Sequence, residues 1–314
     1  MTDNRRRVKN DAVLSGLPEA TRRKYTRLTA ILGRMKGALV AYSGGVDSTL
    51  LLKTAVDVLG KGVQAVIATS ETYPGREISE AKALARCLGV RPRVIKTREL
   101  ENPDFAGNPP ERCYHCKKEL FGTLAAIARE EGIPFALDGA NRDDTRDFRP
   151  GSKAGRELGV RSPLKEAGLT KAEIRELSRR LGLPTWNKPS LACLASRFPY
   201  GTRIEPKGLR QVGAAEDLLR RLGFGQLRVR HHGTVARIEI APGEFPKAVG
   251  KAAAGRIVSG LKKLGYRYIA LDLEGYRTGS MNEVLKVARR ASTAIKAAPL
   301  PPTPGNQSRR FPPP

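Results

Sequence analysis

The chain has 314 residues, 40% hydrophobic, with four cysteines and a formal net charge of +26. That length supports one large or two moderate domains with real cores, and four cysteines are too few to staple it as a disulfide scaffold. No run of about 18 apolar residues is present for a membrane span, and Met1 to Asn10 is polar and basic without the apolar core of a secretory signal, so a reducing cytoplasm is the expected compartment.

Residues 1–20 read as a loose arm with Arg5-Arg6-Arg7. From about Thr21 to Met35, Tyr25, Leu28, Ile31, Leu32 and Met35 recur at helical spacing, closed by Gly37. An apolar strand follows at about 38–42. Ser43-Gly44-Gly45-Val46-Asp47-Ser48 then leads into a helix ending near Leu59-Gly60. Val63 to Ala68 is a second buried strand, ending in Thr69-Ser70-Glu71-Thr72. A helix over about 76–88 stops at Gly89 and carries Cys87 on a face expected in the core. Val94-Ile95 marks a third strand. After a turn-rich loop, a helix runs from Arg112-Cys113-Tyr114-His115-Cys116-Lys117-Lys118 to about Glu131. Pro134 to Leu137 is a fourth strand, ending in Asp138-Gly139-Ala140-Asn141-Arg142-Asp143-Asp144.

This alternation predicts an α/β fold: a parallel sheet of five strands with helices on both faces and ligands at the carboxyl ends of the strands. Pro150-Gly151-Ser152 reads as a loop. Thr170-Lys171-Ala172-Glu173 reads as a capping box opening a helix that stops at Gly182. Asn187 to Gly201, around Cys193, is irregular. The texture changes after about Ile204: a helix over 209–222, paired strands at 227–232 and 236–240, a helix over 254–264 and a strand at 268–273 form a small α+β unit. From Pro299 onward, seven of sixteen residues are proline, so 291–314 reads as a disordered tail.

The glycine pair between strand and helix lets a ligand approach the backbone, and the N–H groups opening the helix favour an anion. Ser43, Ser48 and Thr49 add hydroxyls, and Asp47 can hold a metal that bridges phosphates. The Walker spacing is absent. The stretch resembles the pyrophosphate loop of the N-type ATP pyrophosphatases, which adenylate their substrates. The positive charge has two open readings: attraction of polyanions, or a solvated arginine-rich surface without an RNA-binding signature. Cys193 lies beside Ser196 and Arg197, where nearby cations favour a thiolate. Taken alone, it fits a nucleophile or a small buried hydrophobe. Cys113 and Cys116 form half a zinc site or a redox pair, which a zinc ion could use only with distant ligands such as His231 and His232.

Taken together, the pyrophosphate loop, Cys113–Lys117, Asp138–Asn141 with Asp143-Asp144, Ala192–Arg197, Arg228–Gly233, Ala236–Glu239 and Gly275-Tyr276-Arg277 resemble the LarE family of ATP-dependent sacrificial sulfur transferases. The resemblance covers about residues 21–290. It implies a pyrophosphate-loop (HUP-like) domain over 21–203 and a substrate-binding and oligomerisation domain over 204–290. It implies ATP and Mg²⁺ as cofactors and pyridinium-3,5-biscarboxylic acid mononucleotide as the nucleotide substrate, in nickel-pincer cofactor biosynthesis. Ser43, Gly44, Gly45, Asp47, Ser48 and Ser70 would bind ATP, with Asp47 and Asp144 at the metal. Cys193 would attack the acyl adenylate and surrender its sulfur, becoming dehydroalanine. Arg228, Arg230, Arg277, Ser196, Arg197, Glu216, Tyr114 and Lys118 would contact substrate, Tyr114 by stacking. A homo-oligomer, hexameric by family, is expected, as are contacts with other cofactor-biosynthesis proteins. Neither a membrane nor an RNA partner is expected. Three alternatives stand beside this reading: a pyrophosphate-loop tRNA thiolase with a cysteine persulfide relay, an NAD-synthetase-like ligase, and a non-catalytic nucleotide- or RNA-binding protein.

Overall fold

A computed structural model describes residues 14–145, 150–189, 192–277, 279–283 and 285. Most of the expected basic arm, residues 1–13, and the expected tail over 291–314 lie outside them. The chain divides into one compact unit through Tyr276 and a second from Arg277.

Helix α1 (Glu19–Gly33) buries Tyr25, Leu28 and Leu32 on one stripe. Strand β1 (Ala38–Ala41) follows, then α2 (Val46–Leu59), β2 (Val63–Thr69), α3 (Gly75–Cys87), β3 (Arg93–Lys96), α4 (Arg112–Glu130) and β4 (Ala136–Leu137). The four strands are parallel in the order β3-β2-β1-β4. Alternate residues serve opposite faces. Ala38, Val40, Ala65, Ile67 and Leu137 pack with Leu28 of α1 and Leu50 and Leu51 of α2. Leu39, Val66 and Ala136 pack with Leu120, Phe121 and Leu124 of α4. Burial on both faces is why these strands read as continuous apolar runs. Each fully buried leucine contributes about 1.5–3 kcal/mol.

The expected fifth strand is absent among the described residues. Its place beside β4 is taken by a single parallel bridge between Leu137 and Arg161, with bonds from Asp138 N to Arg161 O and from Arg161 N to Ala136 O, both 2.9 Å. Pro163, lacking an N–H, opens a helical turn at once and ends the pairing. The expected loop at 150–152 instead opens a short helix, Gly151–Glu157. Cys87 is exposed, contrary to expectation. Helix α3 buries Ala81 and Ala85, and a residue two beyond Ala85 points the opposite way. The capping box forms as read, opening α5 (Lys171–Arg180).

Helix α6 (Pro206–Arg221) leads to the antiparallel pair β5 (Leu227–His232) and β6 (Val235–Ile240). Gly233, at φ 61°, makes the turn between them. Helix α7 (Lys251–Lys263) and β7 (Tyr268–Leu271) complete this sheet, with β7 parallel to β6. Leu219, Val229, Ile238 and Leu261 build its core. A third group, Phe105, Leu194, Ala195, Phe198, Leu209 and Val212, packs the segment after Cys193 against α6. In the second unit, Gly279 at φ 82° precedes a turn over Ser280–Asn282. Among the described residues no helix is long and apolar enough to cross a membrane.

Candidate active site

The loop between β1 and α2 is built for close approach. Gly44 sits at φ +71°, and a Cβ there would lie 2.8 Å from the Cβ of Ala81. Gly45 caps α2, and its carbonyl accepts from Thr49 N at 2.9 Å and Ser48 Oγ at 3.2 Å. The Ser43 and Ser48 hydroxyls lie 3.1 Å apart. At the neighbouring strand end, a Cβ on Gly139 would stand 3.0 Å from Ser48 N. Glycine at these places keeps the amino end of α2 open to an anion.

Asn141 brings the two expected metal-binding carboxylates together. Its Nδ2 donates to Asp47 at 3.2 Å, and its backbone N–H donates to Asp144 at 2.9 Å. Lys171, the first residue of α5, makes an ion pair with the other oxygen of Asp47. Two carboxylates suit a hard cation such as Mg²⁺. No three His, Cys, Asp or Glu side chains among the described residues group to hold a metal alone, whether magnesium or the zinc considered for Cys113 and Cys116.

The Cys193 segment is anchored at many points. Arg175 donates to the carbonyls of Trp186 and Lys188 at 2.7 and 2.9 Å. Leu194 N donates to Thr72 O at 2.8 Å. The Cys193 carbonyl accepts from Ser196 N, Ser196 Oγ and Arg197 Nη1 at 3.0, 2.8 and 3.0 Å. Buried Asn108, at φ 57°, donates to Phe198 O and Pro199 O and accepts from Arg112 at 2.6 Å. The backbone is thus fixed while the Cys193 side chain stays half-buried.

Arg197 and Glu216 share two hydrogen bonds, and Glu216 also accepts from Arg220 and from Val229 N. Burial pushes the Glu216 carboxyl up, but Arg197, Arg228 and Arg220 outweigh it and hold it below its ordinary value. Arg228 and Arg230 share a face of β5. Arg230 forks onto Glu239 with two bonds of 2.8 Å and donates to Ser196 O at 2.7 Å. Arg228 lies over the Tyr276 ring at 5.1 Å. Burial first, then the charge of Arg197, lowers its guanidinium pKa. The structure therefore joins Cys193, Ser196, Arg197, Glu216, Arg228 and Arg230 in one connected patch. Arg277 belongs to the second unit, where it pairs with Glu283 at 3.1 Å.

Tyr114 and Lys118 take another face of α4. Tyr114 donates to Glu157 at 2.7 Å, and Lys118 and Lys153 stand over its ring. Cys116 instead packs in the same apolar group as Cys193. Ser70 donates to Glu99 at 2.6 Å. Sequence reasoning did not single out Thr72, Glu99, Asn108, Asn141, Lys171 or Glu239 as site residues. The available signals were that Asn141 and Glu239 lie in the family-like motifs and that Thr72, Glu99 and Asn141 stand just past strand ends.

No family model matches the sequence. It is 45% identical over 262 residues, 83% of this chain and 98% of the other, to an uncharacterized protein of Synechocystis sp.. It is 41% identical over 272 residues, 86% of this chain and 98% of the other, to the pyridinium-3,5-bisthiocarboxylic acid mononucleotide synthase of Lactiplantibacillus plantarum. A tRNA-specific 2-thiouridylase of Desulforamulus reducens is 27% identical over 196 residues, 49% of this chain and 53% of its own. With 41% identity over nearly the whole length of the synthase and a pyrophosphate loop set between β1 and α2, the chain belongs to the LarE family of ATP-dependent sulfur transferases.

Proposed function

We propose that this chain converts pyridinium-3,5-biscarboxylic acid mononucleotide to its thiocarboxylate form, using ATP to activate a carboxylate and Cys193 as the sulfur donor, in nickel-pincer cofactor biosynthesis. The observation that carries this reading is the patch just described: Arg230 holds Ser196, Arg197 holds the Cys193 carbonyl, and Glu216 braces Arg197.

Ser43, Gly44, Gly45 and Ser48 hold the ATP phosphates, with Ser70 near the nucleotide. Asp47 and Asp144 would hold Mg²⁺, which when bound would neutralise phosphate charge. Lys171 pairs with Asp47 beside that position. The substrate carboxylate attacks the α phosphate and pyrophosphate leaves. Arg228 and Arg230 grip the substrate phosphate, for which the planar guanidinium fork is suited. Arg277 is proposed as a further substrate-binding residue. Ser196, Arg197 and Glu216 position the nucleotide, and Tyr114 and Lys118 offer a stacking face and a cation. The Cys193 thiolate attacks the acyl adenylate, forming a thioester and releasing AMP. The Cβ–S bond then breaks, the electron pair leaves with sulfur as a thiocarboxylate, and loss of the Cα proton gives dehydroalanine. The protein turns over once in this scheme.

We further propose the division at 203/204 into a pyrophosphatase domain and a substrate-binding and oligomerisation domain, assembly as a homo-oligomer, and a cytoplasmic location. The tRNA thiolase reading is weaker, because that similarity spans only about half of each chain. Intact-mass measurement after reaction with ATP, Mg²⁺ and the nucleotide tests the proposal. Cys193 should lose about 34 Da, one H₂S. Product formed with unchanged protein mass would point to a relay instead.

A further inference from the structure

The scheme requires a base for the Cα proton of Cys193, and none of the residues assigned so far supplies it. Glu216 and Glu239 are held by arginines. Beside the cysteine segment, however, lies a carboxylate of a different kind. Glu99 is 1% exposed. One oxygen accepts from the Ser70 and Thr72 hydroxyls, each at 2.6 Å. The other is buried and meets no hydrogen-bond donor among the described residues.

Glu99 reaches the cysteine segment through one continuous path. Thr72 donates its hydroxyl to Glu99 and accepts at its carbonyl from Leu194 N, the amide directly after Cys193. Tyr73 Oη lies 3.9 Å from Cys116 Sγ, and Cys116 packs in the same apolar group as Cys193. Those two do not compete for the proton. Burial pushes the Cys116 thiol up to about 12 and the Tyr73 phenol well above its ordinary value, so both keep their own protons.

We infer that Glu99 is the general base of the elimination, an assignment that rests on the sacrificial reading of Cys193. The carboxylate takes the Cα proton. The C–H electron pair becomes the Cα=Cβ bond, the Cβ–S bond breaks, and its pair leaves on the thiocarboxylate. Glu99 ends protonated. No oxidant or reductant takes part.

Glu99→Gln tests this. The amide oxygen still accepts from Ser70 and Thr72, so the local bonds can persist. In a single turnover with ATP, Mg²⁺ and the nucleotide, the variant should release AMP and pyrophosphate at the wild-type rate. It should then stall as a hydroxylamine-sensitive thioester adduct, with dehydroalanine formation slowed about 100-fold or more. Dehydroalanine forming at the wild-type rate overturns the assignment. Loss of AMP release also overturns it, because Glu99 would then act before the thioester. Wild-type protein run in parallel separates the two claims: if it makes product without losing mass, the sacrificial reading itself fails.

Discussion

Arg197 and Glu216 meet through two hydrogen bonds, 2.8 and 3.0 Å, with each side chain 1% exposed. The same guanidinium holds the carbonyls of Ala192 and Cys193. The reactive segment is thus tied to α6 by a buried ion pair. Removing one partner leaves an uncompensated buried charge. Arg197→Met should lower unfolding stability by about 3–5 kcal/mol, and Arg197→Met with Glu216→Leu should recover much of it. Urea unfolding measures both.

That pair also sets an acid limit. The folded Glu216 carboxyl lies below its ordinary 4.5, so its stabilising contribution is complete above that value and is lost as pH falls below it. Unfolding free energy should drop with pH in that window. Glu216→Gln should show a shallower drop, and an unchanged slope would assign the acid sensitivity to other carboxylates.

Gly44 combines a positive φ with a Cβ position 2.8 Å from Ala81 Cβ. Gly44→Ala should cost about 1–3 kcal/mol in stability and weaken ATP binding. Adding Ala81→Gly should relieve the clash and leave only the φ penalty of about 1 kcal/mol. Thermal unfolding of the single and double variants separates the two contributions.

Asp47 is shared between Asn141 and Lys171. Asp47→Ala should reduce pyrophosphate release by roughly 100-fold or more, as expected when a phosphate-site charge contact is lost. A pyrophosphate assay across magnesium concentrations is the check. Near-wild-type release would remove the metal role from this residue.

Cys193→Ser should still release pyrophosphate yet form no thiocarboxylate, since a serine hydroxyl has no sulfur to give. Cys116→Ser should lose mass at Cys193 as wild type does, because the buried Cys116 thiol stays protonated. Peptide mapping after turnover reads both. Dehydroalanine appearing at position 116 would reassign the donor.

Much of the fold was legible. The runs at 38–41 and 63–69 and the stripe Tyr25, Leu28, Leu32 have strong periodicity. The strand count was not: five were expected and four form among the described residues, because Pro163 opens a helical turn and leaves Leu137 and Arg161 as a single bridge. Cys87 was misjudged because the apolar face of α3 is only a narrow band around Ala81 and Ala85.

The site divides in the same way. By itself the sequence determined the phosphate loop, since a Gly-Gly turn with Asp47 and Ser48 is local chemistry carried by adjacent residues. The family resemblance, rather than any local pattern, singled out Cys193 and the Arg228/Arg230 pair. Only the tertiary structure decided their company. Glu99 lies 94 positions before Cys193, Lys171 124 positions after Asp47, and Arg230 34 positions after Ser196. Such partners are chosen by chain packing, because burial turns ordinary glutamates and arginines into paired, desolvated groups, and no local pattern of residues records which of them will be buried together.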